Sequence, residues 1–200
     1  MPAASQTPAA FDFFYDLGSP YSYLASTQLA GLVARTAAVA RLFPITLGGV
    51  RKAVGTVMPS AAQLVYMSHD VQLWARRYAV PMQIPSAFPS KTIQALRACW
   101  CAEREGKQAE AMRALFHAYF GEGRDIAQPD VISSALSAAG LDGATLLAAS
   151  ETVEAKEGLR RATEGALARG VFGVPALFVG DRLFFGNDRL EFVEAALTRR

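Results

Sequence analysis

Histidine and cysteine, on which many catalytic and metal sites depend, are scarce in this sequence. Its 200 residues include two histidines, His69 and His117, and two cysteines, Cys99 and Cys101. Two cysteines are too few for a structural zinc site, and their C-x-C spacing differs from the C-x-x-C pair of thiol–disulfide oxidoreductases. We therefore predict no metal site and no redox chemistry by the protein's own thiols. Both cysteines are expected in or beside the hydrophobic core.

Clusters of like charge and long hydrophobic segments are also missing. The net charge of +2 comes from 20 basic and 18 acidic side chains dispersed along the chain, a pattern that does not favour nucleic-acid binding. No apolar run approaches the roughly 20 residues of a membrane-spanning helix. The N-terminus lacks the basic start and apolar centre of an export signal. We therefore expect a globular, cytoplasmic protein with residues 1–10 as a tail and neither nucleic acid nor a membrane as a partner.

The most informative stretch that is present is FDFFYDLGSPYSYLA at residues 11–25. Its aromatic start predicts a short strand buried on both faces. Ser19 at the N-cap and Pro20 at the first helical position predict a helix over residues 20–34. A hydroxyl at a helix N-terminus lies where an anion is readily stabilised. No G-x-S-x-G elbow surrounds Ser19 and no histidine is close in sequence, so a hydrolase triad is not favoured, whereas a simple capping role stays open.

The order of elements along the rest of the chain predicts a fold class. A second strand over residues 39–46 completes a βαβ unit, and residues 47–60 are expected to form a glycine-rich connection. Helical periodicity then dominates up to residue 170, interrupted by a proline-rich extended loop at residues 81–89. A hairpin turning at Gly180-Asp181 and a final helix over residues 189–197 give a ββα ending.

This βαβ…ββα order predicts an α/β protein with a thioredoxin-like fold and a large all-helical insertion. Residues 11–60 and 171–200 would form the thioredoxin-like domain, and residues 61–170 the inserted helical domain. Val174-Pro175 lies where a thioredoxin fold places a cis-proline loop facing the first helix. Only about 5% of X-Pro bonds are cis, so the cis state is expected from the fold and not from local sequence.

Three segments occur in an order and spacing that resembles a known family: DLGSPYSYLA at residues 16–25, GVFGVP at 170–175 and FFGNDRL at 184–190. Together they are similar to the 2-hydroxychromene-2-carboxylate isomerases, relatives of kappa-class glutathione transferases in the DsbA-like branch of the thioredoxin superfamily. The resemblance covers residues 11–197. It implies glutathione as cofactor and cis–trans isomerisation of an aromatic 2-oxo acid, as in naphthalene-type degradation, by reversible addition of the glutathione thiolate.

The resemblance also implies roles for individual residues. Ser19 would hydrogen-bond the glutathione sulfur and be the catalytic residue, and the Val174 backbone would pair with the cysteinyl part. The γ-glutamyl end would be surrounded by Phe185, Gly186, Asn187 and Asp188, with the Asp188 carboxylate near the ammonium. Asn187 and Asp188 would in addition cap the last helix, and Phe185 by type suits the core. A thiol of pKa about 8.5 needs only about 1.4 kcal/mol for each unit by which its pKa falls.

Substrate recognition is less constrained by the sequence. Arg51 or Lys52 would meet a substrate carboxylate and Phe88 would line its ring, although both cations also suit a solvated loop. Relatives commonly carry Asn where this chain has Thr56 and Lys91, so a different aromatic or unsaturated oxo acid is possible. A kappa-like glutathione transferase or peroxidase and a non-enzymatic thioredoxin-fold binding protein are the alternative functions. A homodimer is plausible by analogy.

Overall fold

A four-stranded sheet carries the site-forming segments. In the computed structural model, which describes residues 8–57 and 59–198, the strand order is β2-β1-β3-β4. The strands are β1 (Ala10–Tyr15), β2 (Val39–Pro44), β3 (Ala176–Val179) and β4 (Arg182–Phe185). β1 runs parallel to β2 and antiparallel to β3, and β3 forms the predicted hairpin with β4. β1 begins at Ala10, which pairs with Val39 and was predicted to belong to the tail; residues 1–7 of that tail lie outside the described residues.

Helices connect the strands in the predicted order. α1 (Pro20–Thr36) joins β1 to β2, and α9 (Leu190–Thr198) follows β4. Between β2 and β3 lie α2 (Leu47–Val54), α3 (Ala61–Tyr78), α4 (Ile93–Ala102), α5 (Gln108–Phe116), α6 (Pro129–Ala138), α7 (Gly143–Ala149) and α8 (Val153–Ala168). The thioredoxin-like fold with a helical insertion is therefore confirmed, while its division into domains at residues 60 and 170 stays a prediction. Among residues 8–57 and 59–198, no helix has both the length and the apolar character needed to cross a bilayer.

The prediction for residues 47–60 was wrong in detail. The glycine-rich connection contains α2, although Gly48 and Gly49 are poor helix formers. Tertiary contacts outweigh that propensity, because Val50 is fully buried and the helix ends in a left-handed turn at Gly55. α5 ends at Phe116, and the chain continues as a π-helical segment, His117–Gly121. Near the end of this segment the Phe120 carbonyl accepts a hydrogen bond from the Gln83 amide at 2.6 Å.

The core lies on both faces of β1, as the aromatic run predicted. Phe11, Phe13 and Tyr15 pack into the larger cluster with α1, α4 and α5, whereas Phe14 packs on the opposite face with Val50 and neighbouring side chains. Cys99 and Cys101 are free and buried in the larger cluster, which confirms their predicted place. Burial raises the pKa of the Cys99 thiol to about 12.

Candidate functional site

Ser19 lies at the N-terminus of α1 with its hydroxyl facing the start of β3. It is the N-cap, with extended backbone, and its Oγ accepts a hydrogen bond from the Ser22 amide at 3.2 Å. The same hydroxyl donates to the Val174 carbonyl at 3.4 Å, across 155 residues of sequence. A 3.4 Å O–H···O contact is long for a hydrogen bond. The Ser19 proton is therefore available to a better acceptor placed beside it, in a position that is almost completely buried.

The Val174-Pro175 peptide is cis, as expected for the loop that faces the first helix of this fold. The Pro175 carbonyl accepts from the Gly186 amide at 3.0 Å. This bond ties the cis-proline loop to the turn after β4. Two of the three segments singled out in the sequence thus lie side by side, and the Ser19 contact with Val174 brings in the third.

The turn after β4 holds a buried amide side chain without a partner. Gly186 has φ 107°, which strains any residue with a side chain, and a Cβ there would lie 2.5 Å from Asp188 Oδ1. Asn187 is buried, its carbonyl accepts from the Tyr78 hydroxyl at 2.9 Å, and its Nδ2 has no hydrogen-bond partner in the described residues. A buried amide donor is normally satisfied, so this one can donate to an acceptor that the described residues do not supply.

The structure corrects the predicted secondary roles of three residues in this turn. Neither Asn187 nor Asp188 accepts a hydrogen bond from a backbone amide of the described residues, so the predicted helix-capping role is wrong; the Asp188 carboxylate instead contacts its neighbour Arg189. Phe185 is not a core residue, since 44% of it is exposed. Its ring packs against Phe172, with centroids 4.7 Å apart, and forms an apolar surface beside the cis-proline loop.

A carboxylate that the sequence analysis did not single out lies directly behind the Ser19 turn. Asp16 is buried, and it accepts hydrogen bonds from the Gly18 amide at 2.7 Å, the Leu47 amide at 2.6 Å and the Thr92 hydroxyl at 2.9 Å. Burial raises the pKa of Asp16, while these three bonds and the nearby Arg51 charge lower it, with burial prevailing. The only sequence signal was an Asp two residues before a glycine, which is typical of any turn.

A second cluster of polar side chains lies where α1 meets α3. The Tyr21 hydroxyl donates to Asp70 Oδ2 at 2.9 Å. Burial raises the pKa of Tyr21, and the carboxylates of Asp70 and Asp188 raise it further. Two carboxylates, one from α3 and one from the turn after β4, therefore face the beginning of α1. Asp70 could not be recognised from the sequence, because it lies 49 residues from its partner.

The predicted substrate contacts lie on two segments next to this turn. Arg51 is near enough to Asp16 for its charge to lower the pKa of that carboxyl, whereas Lys52 is exposed and has no such contact. Phe88 is half-buried and packs on Tyr119 and Phe120, with ring centroids 6.4 and 6.2 Å away. The roles of these residues in binding stay predictions, as do those of Ser19 and of the residues in the Gly186 turn.

Comparison with known proteins identifies the family. The family model of the DSBA-like thioredoxin domain matches residues 10–198. The chain is 35% identical to a 2-hydroxychromene-2-carboxylate isomerase of Sphingobium xenophagum over 93% of this chain and 96% of that one, and 33% identical to one of Pseudomonas putida over 94% of each. It is also 27% identical to human glutathione S-transferase kappa 1, over 93% of this chain and 89% of that one.

A solved structure agrees with the sequence relatives. A 2-hydroxychromene-2-carboxylate isomerase superposes with a TM-score of 0.87 at 31% identity, covering 95% of each chain. The likeness extends over both the sheet and the inserted helices, so it is not limited to the common thioredoxin core. The chain therefore belongs to the DsbA-like thioredoxin family and, within it, to the 2-hydroxychromene-2-carboxylate isomerases.

Proposed function

We propose that the protein is a glutathione-dependent cis–trans isomerase of 2-hydroxychromene-2-carboxylate or a similar aromatic 2-oxo acid. The observation that carries the proposal is Ser19, a buried hydroxyl at a helix N-terminus whose proton has only a distant carbonyl to meet. The names of the curated relatives support the reaction. A cytoplasmic location and a homodimer remain predictions.

The residues present fit glutathione. The unpartnered Nδ2 of Asn187 suits an acceptor such as the γ-glutamyl carboxylate, and the Asp188 carboxylate, 40% exposed, suits the ammonium beside it. The Val174 backbone is next to Ser19 and would pair with the cysteinyl part. Phe185 and Gly186 would border the γ-glutamyl end. Ser19 would then be placed at the sulfur.

Ser19 would stabilise the negatively charged thiolate form of that sulfur and so lower its pKa. The Ser22 amide donates to its oxygen, which makes the hydroxyl proton a better donor, and the α1 dipole adds a positive potential at the same point. A charge-assisted hydrogen bond contributes about 1.5–3 kcal/mol, which lowers a thiol pKa by about one to two units. Bound glutathione would supply a thiolate able to add reversibly to the conjugated double bond of the substrate.

The substrate would be oriented by residues outside the Gly186 turn. We assign the carboxylate contact to Arg51 in preference to Lys52, because the Arg51 charge already acts on Asp16 behind the Ser19 turn. Phe88 would present the exposed part of its ring to the aromatic substrate, held in place by Tyr119 and Phe120.

The decisive experiment follows the substrate and glutathione together. Purified protein is given 2-hydroxychromene-2-carboxylate with and without glutathione, and both compounds are quantified over time. The proposal expects interconversion of the cis and trans acids that requires glutathione and leaves its amount unchanged. Consumption of glutathione would favour a kappa-like transferase, which the 27% identity to human glutathione S-transferase kappa 1 keeps as the second candidate. No glutathione binding and no turnover would leave a non-enzymatic binding protein.

A further inference from the structure

We propose that Asp16 is a positioning residue, which holds the segments that carry the glutathione side and the substrate side of the site at a fixed distance from one another. The inference rests on the proposed function. It starts from a buried carboxylate whose two oxygens accept hydrogen bonds from its own turn, at Gly18, and from two segments that lie 31 and 76 residues further along the chain.

Each bond reaches a different part of the site. Oδ1 accepts from the Gly18 amide, one residue before Ser19, and from the Thr92 hydroxyl, at the end of the loop that carries Phe88. Oδ2 accepts from the amide of Leu47, the first residue of α2, which carries Arg51. One side chain is thus bonded to the thiolate-stabilising turn and to both segments assigned to the substrate.

The two helices involved lack local capping by their own N-cap residues. Thr46 and Thr92 are the N-cap residues of α2 and α4, yet neither makes a side-chain cap hydrogen bond. A threonine N-cap normally accepts from an amide of its own helix. Here the Thr92 hydroxyl donates to Asp16, and the Leu47 amide is satisfied by Asp16. Contacts that would stabilise each helix alone are replaced by contacts that fix the helices to the Ser19 turn.

The packing around Asp16 leaves little room for these segments to move. A Cβ placed on Gly18 would lie 3.3 Å from Asp16 Oδ1 and 3.4 Å from Thr92 Cγ2, so the turn and the start of α4 are already in contact. Because burial raises the pKa of Asp16, folding favours the protonated form of this carboxyl. The free energy of unfolding therefore falls as the pH rises from the ordinary pKa of an aspartate to the raised one. The presence of a buried carboxylate at position 16 is therefore better explained by the geometry of its hydrogen bonds than by a gain in stability.

Asp16→Asn tests one of the three bonds. The amide oxygen can still accept from Gly18 and Thr92, but an NH₂ group would face the Leu47 amide, donor against donor. We expect a loss of about 10- to 100-fold in kcat/KM, expressed mainly as a higher KM for the oxo acid, because α2 is displaced. The pKa of the bound thiol should not rise, since Ser19 is intact and the substitution introduces no negative charge.

A structural readout is independent of turnover. In glutathione-free protein, hydrogen exchange of the Leu47 amide should be faster in Asp16→Asn, while that of Gly18 stays close to wild type. Thr92→Val and Thr92→Ser form a matched pair, because valine removes the hydroxyl and serine keeps it. We expect Thr92→Val to raise the KM and Thr92→Ser to restore it to within about 3-fold of wild type.

The outcomes separate this inference from the proposed function. Wild-type protein that does not isomerise the oxo acid would overturn the proposed function, and slower or unchanged Leu47 exchange in Asp16→Asn would then overturn the positioning role as well. Active wild type with an unchanged KM in Asp16→Asn would overturn the inference alone. A raised thiol pKa in Asp16→Asn would also overturn it, because Asp16 would then act on the thiolate. If Asp16→Asn fails to fold, equal KM values for Thr92→Val and Thr92→Ser would refute the role.

Discussion

Removal of the Ser19 hydroxyl separates the two roles of this side chain, helix capping and stabilisation of a thiolate. Ser19→Ala loses the 3.2 Å cap bond from the Ser22 amide, which we expect to lower the free energy of unfolding by about 1 kcal/mol. It also loses the only hydroxyl that we place at the sulfur. A lost charge-assisted bond of about 1.5–3 kcal/mol would raise the pKa of the bound thiol by about one to two units.

The expected size of the kinetic effect follows from the pKa. If the wild-type thiol titrates near pH 7, a rise of one to two units leaves about one tenth to one hundredth of it ionised at neutral pH. Because half of the wild-type thiol would be ionised at pH 7, turnover at neutral pH should fall by about 5- to 50-fold. The loss should become smaller as the pH is raised above the new pKa. The alanine variant should still fold, because the stability of small domains usually exceeds 1 kcal/mol several-fold.

The assay is the ultraviolet absorbance of the thiolate, titrated against pH for protein with bound glutathione, beside the pH profile of turnover. Ser26→Ala is the matched control, because Ser26 is a buried serine of the same helix, about two turns after Ser19, whose hydroxyl donates to the Tyr23 carbonyl at 2.7 Å. It should leave the thiol pKa unchanged. An equal thiol pKa in wild type and Ser19→Ala would refute the reasoning, whatever the effect on stability.

Three further predictions concern the Gly186 turn and the core. Asn187→Leu should weaken glutathione binding by about 10-fold in calorimetry without loss of thermal stability, because the Nδ2 that it removes is buried and unpartnered; unchanged affinity would contradict the assigned contact. Gly186→Ala should lower the free energy of unfolding in urea by about 1–3 kcal/mol, since φ is 107° and its Cβ would meet Asp188. Cys99 should resist alkylation at pH 8 in folded protein and react once unfolded, because burial raises its pKa to about 12; rapid labelling of the folded protein would be incompatible with that burial.

The features of this structure that depend on a few consecutive residues could be predicted from the sequence. The N-cap at Ser19, the proline at the first helical position and the doubly buried aromatic strand each depend on a few consecutive residues, and the structure confirms all three. The cis state of Val174-Pro175 was expected from the fold, since nothing in the local sequence selects it. Recognition of the family depended on three segments that the fold brings together through contacts such as that of Ser19 with Val174.

What escaped prediction depends on contacts across long sequence separations. α2 was not predicted because its two glycines disfavour a helix. The amide of its first residue, Leu47, donates to the Asp16 carboxylate, which lies 31 residues earlier in the chain. Asp16 itself resembled an ordinary turn residue, since its other remote partner, Thr92, is 76 residues away. The unpartnered amide of Asn187 depends on burial against Tyr78 of the inserted helices. No periodicity or propensity reports such pairings.

The burial of the protein's own cysteines is consistent with the use of the glutathione thiol as the nucleophile. A thiolate nucleophile must be exposed and have a low pKa, and it is best placed at a helix N-terminus. The only two cysteines are buried, and burial raises the pKa of each, so neither meets these conditions. The N-terminus of α1, where the helix dipole would lower a thiol pKa, carries Ser19, which offers a hydroxyl proton and no sulfur. On the proposed function, the nucleophile is the thiolate of glutathione, which binds beside Ser19 and can dissociate from the protein. If Ser19 has the proposed role, the serine at the N-terminus of α1 lets a thioredoxin-like scaffold use the thiol of glutathione in place of a cysteine of its own.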